Sequence, residues 1–494
     1  MKDPYTLKEE FIALEPDVEA LGEEEIDRCL RTLRAVIALP FEHPWRRRVE
    51  VSCSVVRRSS RKARKQAKKE AARARDAEVL GETGIRELAE DLVAKREHVL
   101  PASQQDYTVG TLEKPRACYV CKEPFTELHF FYDRMCPRCA PLHYARRFQR
   151  ADLTGRRFIL TGGRIKIGFE VGLKMLRDGA EMIVTTRFPQ DAARRYAEAE
   201  DFHEWSDRLH IYGLELRHVP QLEAFCEHMI ERFDHLDGIV HNAAQTVRRP
   251  DAYYADVLTY ERELAGSLPE DVRRVIHNFA EEQKHLLEDE PEVGEKPRTL
   301  EAHELLFPDE IPRDEALFPS RQRDEDGLQL DLRDKNSWML KLHEVDALEL
   351  VEVHLVNAVA PYILNARLKP LILRCPREDR YVVHVAAKEG QFEVNYKSYR
   401  HPHTNMAKAG LNMLTRTSAE DWARDGIYMN SADTGWVTYE QPQHIKREWL
   451  DVNDGPPLDV IDGAARIYDP IVRGIRDEDF EFGKLYVNYE VAPW

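Results

Sequence analysis

The sequence lacks a stretch of about 18 uncharged apolar residues, the least that a membrane-spanning helix needs. Its first residues, MKDPYTLKEEF, contain no apolar signal core, so we expect a cytoplasmic protein that is not exported and has no membrane partner. Positive charge is also in deficit. The formal net charge of -17 argues against a general nucleic-acid-binding protein, although a local basic patch stays compatible with it.

A disulfide framework is also missing. Only four of the eight cysteines cluster in the sequence, which suits reduced thiols and a metal in the cytoplasm. These four lie in a module that we place at residues 113–145. Two CxxC pairs can aim four thiolates at one point, the tetrahedral set that zinc prefers. We therefore predict a closed, structural zinc ribbon, with redox or iron-sulfur roles as alternatives; its ligands would be Cys118, Cys121, Cys136 and Cys139.

At 494 residues, the chain exceeds a usual single core, so a main domain with added modules is expected. Residues 1–112 have helical spacing and include a strongly basic run from Arg57 to Ala77. Alanine and long basic residues favour a helix. Such a helix can be solvated and neutralise the acidic segments of this chain, or it can lie along an acidic partner. No aromatic residue interrupts the run, so a single-strand nucleic-acid site is not expected.

The stretch from Phe158 to Gly179 reads as a strand, a glycine-bearing turn and an amphipathic helix. Gly162, Gly163 and Gly168 would let the backbone approach a pyrophosphate at the helix N-terminus, although such turns also occur as plain connectors. Three further apolar strands follow, interleaved with helices. This order predicts an α/β fold with a doubly wound parallel sheet.

The motifs TGGRIKIG, HNAA and a later Lys408 together resemble the short-chain dehydrogenase/reductase family over residues 153–494. The resemblance implies a Rossmann-type domain that binds a nicotinamide dinucleotide and acts on a small-molecule substrate whose identity the sequence does not give. Lys166 stands where the family has its middle glycine, and it can crowd the pyrophosphate or reach it. The implied cofactor-binding residues are Thr161, Gly162, Gly163, Lys166, Ile167, Gly168, Arg187, Glu215, Asn242, Ala243, Lys408, Gly435 and Thr438.

The end of the second strand bears on the choice of cofactor. Arg187 lies where NADP-preferring members of the family often carry a base, and no acidic residue ends that strand. A guanidinium contact with the 2′-phosphate would favour NADP over NAD. The alternative is a solvated arginine at a strand end.

The resemblance breaks down at the catalytic positions. Asn357 and Lys408 match the family, but Thr404 replaces the tyrosine and Ala387 the serine. An aliphatic hydroxyl is far less acidic than a phenol, so Thr404 cannot do the same work. Tyr399 or His403 on the preceding loop could substitute for it. The sequence thus leaves open an oxidoreductase with a non-standard site, an inactive dinucleotide-binding sensor or scaffold, and a nucleic-acid-associated protein led by the basic run.

An insertion at residues 246–335 departs from the family pattern. We expect helices from Ala252 to Glu263 and from Pro269 to Leu287, and then one long helix from Asn336 to Leu364. The insertion leaves the fourth strand at the edge where ligands bind, so it would be a lid, a docking element for a protein partner, or a passive addition. By resemblance alone, the helix after Lys408 suggests a homo-oligomer.

Overall fold

The computed structural model describes residues 3–14, 21–87, 107–278, 313–324, 327–394, 396–452 and 455–494. In the described part of the N-terminal region up to Glu87 the chain forms helices, as predicted, and the basic run lies on the long third one with its side chains largely exposed. The end of this helix packs on the next module through buried Leu80, and Arg75 pairs with Glu113. The helices are Pro4–Ile12, Glu23–Ile37, Pro44–Gly81 and the single turn Gly84–Glu87.

The cysteine module is an antiparallel hairpin, β1 (Thr108–Ala117) with β2 (Pro124–His129), followed by the helix Ala140–Arg147. We call Thr108–Arg147 the ribbon. The boundary expected at residue 113 falls inside β1, because hairpin pairing with β2 already begins at Thr108. The aromatic side chains after β2 are fully or nearly fully buried and form the small core of the ribbon, as predicted; they are Phe130, Phe131 and Tyr132.

The large domain is built on a nine-stranded sheet in the order β11-β10-β9-β8-β6-β3-β4-β5-β7, parallel except for β11. This confirms the doubly wound α/β fold. The strands are β3 (Arg157–Thr161), β4 (Glu181–Thr186), β5 (Leu209–Gly213), β6 (Gly238–His241), β7 (Ile276–His277), β8 (Arg380–Ala386), β9 (Ile427–Asp433), β10 (Leu485–Val487) and β11 (Glu490–Ala492).

Helices cover both faces of this sheet, so its strands are apolar on both sides. On β3, Phe158 and Leu160 contribute to one buried core while Ile159 contributes to the other, because successive side chains of a strand alternate between faces. The helices are Lys166–Arg177, Pro189–Ala197, Phe202–Trp205, Val219–Arg232, Asp251–Ser267, Glu270–Arg273, Ala347–His354, Ala360–Leu373, Pro402–Ala423, Gln443–Val452 and Val460–Asp477.

The insertion is helical at its start, as expected, from Asp251 to Ser267. The second predicted helix is wrong in its described part. After one turn the chain forms β7, which pairs with the edge strand β5, since the β-branched Val275 and Ile276 suit a strand. Residues 279–287 of that prediction lie outside the described residues.

The single long helix predicted from Asn336 is also wrong at its start. The chain makes two short turns, and the helix begins only at Ala347, because the Asp346 side chain accepts the N–H of Glu349 and caps it. The helical run Ala347–Leu373 is long and apolar enough to cross a bilayer by length and composition alone. It packs on the helix Val219–Arg232, however, and core helices of soluble proteins pass the same test.

Candidate functional site

A cleft of about 1680 Å³ opens at the carboxyl ends of the parallel strands, where doubly wound sheets bind ligands. It is larger than the 300–1,000 Å³ of a typical small-molecule site. The turn after β3 crosses its floor. All predicted cofactor residues except Thr161 and Gly163 line it; these are Gly162, Lys166, Ile167, Gly168, Arg187, Glu215, Asn242, Ala243, Lys408, Gly435 and Thr438.

The glycines after β3 are required by close packing. Gly162 has φ +71, a left-handed conformation that side chains disfavour. A Cβ on Gly168 would lie 2.2 Å from the carbonyl oxygen of Gly162 and 2.3 Å from Asn242 Nδ2. The N-cap residue of the helix that starts at Lys166 is Ile165, whose side chain makes no capping hydrogen bond, so the N-terminus of this helix adjoins the turn without a side-chain cap. The arrangement fits a pyrophosphate.

Side chains from β3 and β6 hold the turn in place. Asn242 Nδ2 donates to the carbonyl oxygens of Thr161 and Gly162 at 3.2 and 3.0 Å. The N–H of Ala243 donates to Thr161 Oγ1 at 3.1 Å. Thr161 and Asn242 therefore hold the turn in its conformation.

Lys166 takes φ +52, the left-handed conformation that makes glycine the usual choice at this position. Its Nζ lies 3.9 Å from Glu440 Oε1, and Glu440 also accepts the Thr438 hydroxyl at 2.7 Å. The ammonium group is thus drawn toward the loop that follows β9. From the sequence, Lys166 could either crowd a pyrophosphate or reach it. The ion pair with Glu440 shows a different arrangement, in which the ammonium group faces the loop after β9.

The β4 side of the cleft carries Arg187. Its guanidinium lies against the rings of Phe188 and Tyr254, 5.5 and 5.1 Å from their centroids, and donates to the Tyr254 hydroxyl at 3.2 Å. Tyr254 belongs to the insertion, so the insertion forms a wall of this half of the cleft. Nearby Glu215 is buried and holds Arg217 at 2.9 Å, so its carboxylate is already paired.

Of the positions that correspond to the family's catalytic residues, some line the cleft and others do not. Lys408 is buried, lines the cleft, and donates from Nζ to the carbonyl oxygen of Val385 at 2.7 Å. Thr404 is buried one turn earlier, and its hydroxyl has no hydrogen-bond partner within the described ranges. Ala387 lines the cleft and offers no polar group. Asn357, in a π-helical turn, pairs both polar atoms with the backbone of Gln245, at 2.7 and 3.1 Å.

The loop residues considered as substitutes lie elsewhere. Tyr399 is 65% exposed beside Lys341, and His403 is buried with Nε2 3.3 Å from Glu349 Oε1. Neither is among the residues that line the cleft. Tyr396 of the same loop does line it.

Two acidic residues beside Lys408 were not among the predicted site residues. Asp433 ends β9, is buried, and accepts the N–H of Gly435 at 2.6 Å and an N–H of Gln391 at 3.0 Å. Glu389 follows Ala387 and also lines the cleft. Burial raises the pKa of both carboxyls, and burial lowers the pKa of Lys408 to about 8 although both carboxyls oppose that shift. The one sequence signal for Asp433 was its position two residues before Gly435, which had been predicted to contact the cofactor.

The four predicted metal ligands come together in the ribbon. The Sγ atoms of Cys118, Cys121, Cys136 and Cys139 all lie within 4.8 Å of one another. Those of Cys121 and Cys136 are 3.8 Å apart, the spacing of about 3.8 Å that a tetrahedron with Zn–S bonds of 2.3 Å requires. His129 accepts the N–H of Phe131, and His143 pairs with Arg466, so neither nearby histidine competes for the metal. The donor set fits zinc.

The fold and the glycine turn define a dinucleotide-type α/β domain. Comparison with known proteins agrees: the short chain dehydrogenase family model matches residues 156–264. An uncharacterized protein, R665 of Acanthamoeba polyphaga mimivirus, is 30% identical over 369 residues, 72% of this chain and 71% of that protein. A probable oxidoreductase of Streptomyces lividans is 36% identical over 74 residues, covering 15% and 24%. The chain belongs to the short-chain dehydrogenase family of oxidoreductases.

Solved structures of similar fold include a short chain dehydrogenase from Salmonella enterica, with a TM-score of 0.43 and 14% identity over 69% of this chain and 99% of that one. Another is an NADPH-bound carbonyl reductase from chicken fatty liver, with a TM-score of 0.42 and 15% identity over 69% and 100%.

Proposed function

We propose that the protein is an NADP-dependent oxidoreductase that reduces a carbonyl group, or oxidises the corresponding alcohol, in the cleft. The observation that carries this proposal is the braced glycine turn at the cleft floor, where Gly168 leaves room for backbone alone. The bound dinucleotide would supply or accept the hydride. Gly162 and the helix N-terminus would hold its pyrophosphate, and Lys408 its nicotinamide ribose.

Arg187 supports NADP as the cofactor over NAD. Its guanidinium is held at the β4 side of the cleft by contacts with Phe188 and Tyr254, and a guanidinium presents several N–H groups that suit a phosphate. The paired Glu215 is not poised to accept from a ribose hydroxyl.

Asp433 and Glu389 are our candidates for the proton transfer that the family assigns to its tyrosine. During carbonyl reduction the substrate carbon takes the hydride and its oxygen takes a proton from a carboxyl, leaving a carboxylate beside Lys408. A raised pKa favours the protonated form of a carboxyl, which is the form that can donate a proton. Lys408 would stabilise the resulting negative charge. Asn357 would act as a positioning residue, through Gln245 on the cleft wall.

For the ribbon we propose a structural zinc ion on the four cysteines. A closed four-thiolate shell leaves no position for water or substrate, so the metal would stabilise the fold without joining the reaction. Metal analysis of the purified full chain should find one zinc per chain, and serine substitution of Cys136 should abolish it.

The proposal is tested by titrating the zinc-replete full chain with NADPH and NADH, and then with a panel of carbonyl compounds while NADPH absorbance is followed. Micromolar binding of NADPH, weaker binding of NADH, and oxidation of NADPH by some carbonyl support it. The proposal is overturned if neither NADPH nor NADH binds.

A second candidate is a dinucleotide-binding sensor without turnover. Two observations favour it. Tyr399 and His403 do not line the cleft, and Ala387, which does, carries no polar group. It predicts NADPH binding with no hydride transfer to any compound of the panel, and the same affinity when Asp433 is replaced by Asn.

A further inference from the structure

The ribbon contributes to the cleft directly. Three of its residues line the cleft: Tyr119, Val120 and Lys122. The Tyr119 hydroxyl oxygen accepts the N–H of Trp436 at 2.9 Å. The preceding Gly435 has φ +74, and a Cβ there would lie 3.0 Å from the same hydroxyl. The ribbon therefore contacts the backbone of the loop that follows β9.

The ribbon is also anchored on the large domain beside that loop. Tyr132 donates its hydroxyl proton to Asp462 at 2.5 Å, and Arg147 pairs with Asp459 and Asp462 at 2.7 and 3.1 Å. All of these groups are buried. The core of the ribbon extends into the large domain. It includes Val437 of the loop and the apolar residues around Val460, where the helix Val460–Asp477 begins. Because buried charges tolerate little displacement of their partners, the position of the ribbon and that of the loop are linked.

The loop lies on one particular half of the cleft. In a doubly wound sheet a dinucleotide spans the point where the strand order reverses, here at β3. The side of β4 and β5 carries Arg187 and Glu215, the adenosine half. The side of β6, β8 and β9 carries Asn242, Lys408 and Asp433, the nicotinamide half. The insertion borders the first half through Tyr254, and the ribbon borders the second.

We propose that the ribbon is a metal-dependent wall of the nicotinamide half of the cleft, and that Tyr119 is the positioning residue that sets the loop Gly435–Thr438 for the nicotinamide ring. This inference rests on the proposed binding of a dinucleotide and of zinc. Tyr119 lies between the candidate ligands Cys118 and Cys121, so removal of the metal releases the turn that carries it, although Tyr132 and Arg147 still anchor the ribbon on the large domain. The loop then loses the Tyr119 contact and part of its apolar support, whereas Arg187 keeps its contacts with Phe188 and Tyr254. Near the turn after β3, Ile167 also packs on the ribbon core, but the glycine turn keeps its bonds to Asn242.

The experiment compares two ligands on the full chain: NADPH, and adenosine 2′,5′-bisphosphate, which has the adenosine phosphates but no nicotinamide. Affinities are measured by calorimetry before and after chelation of zinc, for the wild type and for Tyr119→Phe. Chelation should raise the Kd for NADPH by about tenfold or more, whereas the Kd for the bisphosphate should change by no more than about twofold. Tyr119→Phe should weaken NADPH by about threefold to tenfold with its zinc retained, the effect of one hydrogen bond, and again spare the bisphosphate.

Tyr107→Phe is the matched control, because Tyr107 is an exposed tyrosine at the start of the ribbon and should change neither affinity. In metal-free protein, Tyr119→Phe should add nothing further, since the contact is already lost. The bisphosphate arm reports that the large domain stays folded.

The outcomes separate this inference from the proposed function. If neither ligand binds the zinc-replete protein, the proposed function fails. If NADPH binds equally well with and without zinc, the ribbon inference alone is overturned. If the purified chain takes up no metal, the ribbon inference and the proposed zinc site both fail, while dinucleotide binding stands as proposed. A parallel loss of both ligands also overturns it, since the ribbon would then support the whole fold and not the nicotinamide half.

Discussion

Ala386 on β8 and Asp433 on β9 are register partners at the carboxyl ends of neighbouring parallel strands. The next residue after Ala386 is Ala387, at the position where the family has its serine. The β-sheet register therefore brings a buried carboxyl close to the point where the usual catalytic hydroxyl is missing. Lys408 approaches the same point from the helix Pro402–Ala423, bonded to Val385 on β8.

Asp433→Asn should abolish most carbonyl reduction without loss of NADPH binding. General acid catalysis contributes about 10²–10⁴-fold, so we expect a fall of at least about 100-fold in the reduction rate. In the wild type the rate should decline as pH rises through the raised pKa of this carboxyl, because the carboxylate cannot donate. The pH profile of NADPH oxidation should lose this decline in the variant. Asp421→Asn, at an exposed surface position, is the control; an unchanged rate for Asp433→Asn would contradict the assignment.

Arg187→Met should remove the preference for NADPH. A hydrogen bond to a charged group contributes about 1.5–3 kcal/mol, so the Kd for NADPH should rise by about 10-fold to 100-fold while that for NADH changes little. Arg367→Met removes an arginine that pairs with Glu223 on the surface and should leave both affinities unchanged. Equal weakening of the two dinucleotides would mean that Arg187 supports the cleft wall and not the 2′-phosphate.

Gly168→Ala should eliminate dinucleotide binding, because the new methyl group would displace either the Gly162 carbonyl or Asn242. Overpacking of this kind costs about 1–3 kcal/mol in stability, which chemical denaturation would measure. Gly410→Ala is the contrasting change, since its nearest neighbour, Ala358 Cβ, is 3.9 Å away. In that helix, alanine should stabilise the protein by about 0.5–1 kcal/mol. Normal binding by Gly168→Ala would refute the proposed pyrophosphate site.

Lys408→Met should weaken NADPH binding and yet stabilise the fold at neutral pH. Burial lowers the pKa of Lys408 to about 8, below its unfolded value of about 10.4. Its contribution to stability is therefore complete above the unfolded pKa and is lost as pH falls through about 8. At pH 7 the buried ammonium costs on the order of 3 kcal/mol, partly offset by the bond to Val385.

Urea unfolding should accordingly show a larger gain for Lys408→Met at about pH 7 than at about pH 10, where the lysine is neutral in the folded protein. Lys484→Met, which removes a partly exposed lysine paired with Glu481, should show no such dependence. A gain that is equal at both pH values would indicate that repacking, and not charge burial, produces the effect.

The sequence allowed the parallel fold, the glycine turn and the four thiols to be predicted, because each depends on local chemistry. Strands of β-branched residues alternate with amphipathic helices, and each CxxC spacing fixes two ligands within one turn. The helix from Asn336 failed because apolar spacing does not show where a cap interrupts it; Asp346 supplies that cap. The strand at Ile276 was missed because its hydrogen-bond partner, β5, is distant in the sequence.

From the amino-acid sequence alone one could read the kind of domain, the glycine turn after β3, the four clustered cysteines and the loss of the family's serine and tyrosine. Tertiary structure decided which groups surround those positions. Asp433 lies near Lys408 only because β8 and β9 are neighbours, Arg187 is held only because the insertion brings Tyr254 over it, and Tyr119 reaches Trp436 across the chain. The physical reason is that side-chain periodicity is encoded over a few residues, whereas these contacts join segments whose proximity only the packed sheet creates.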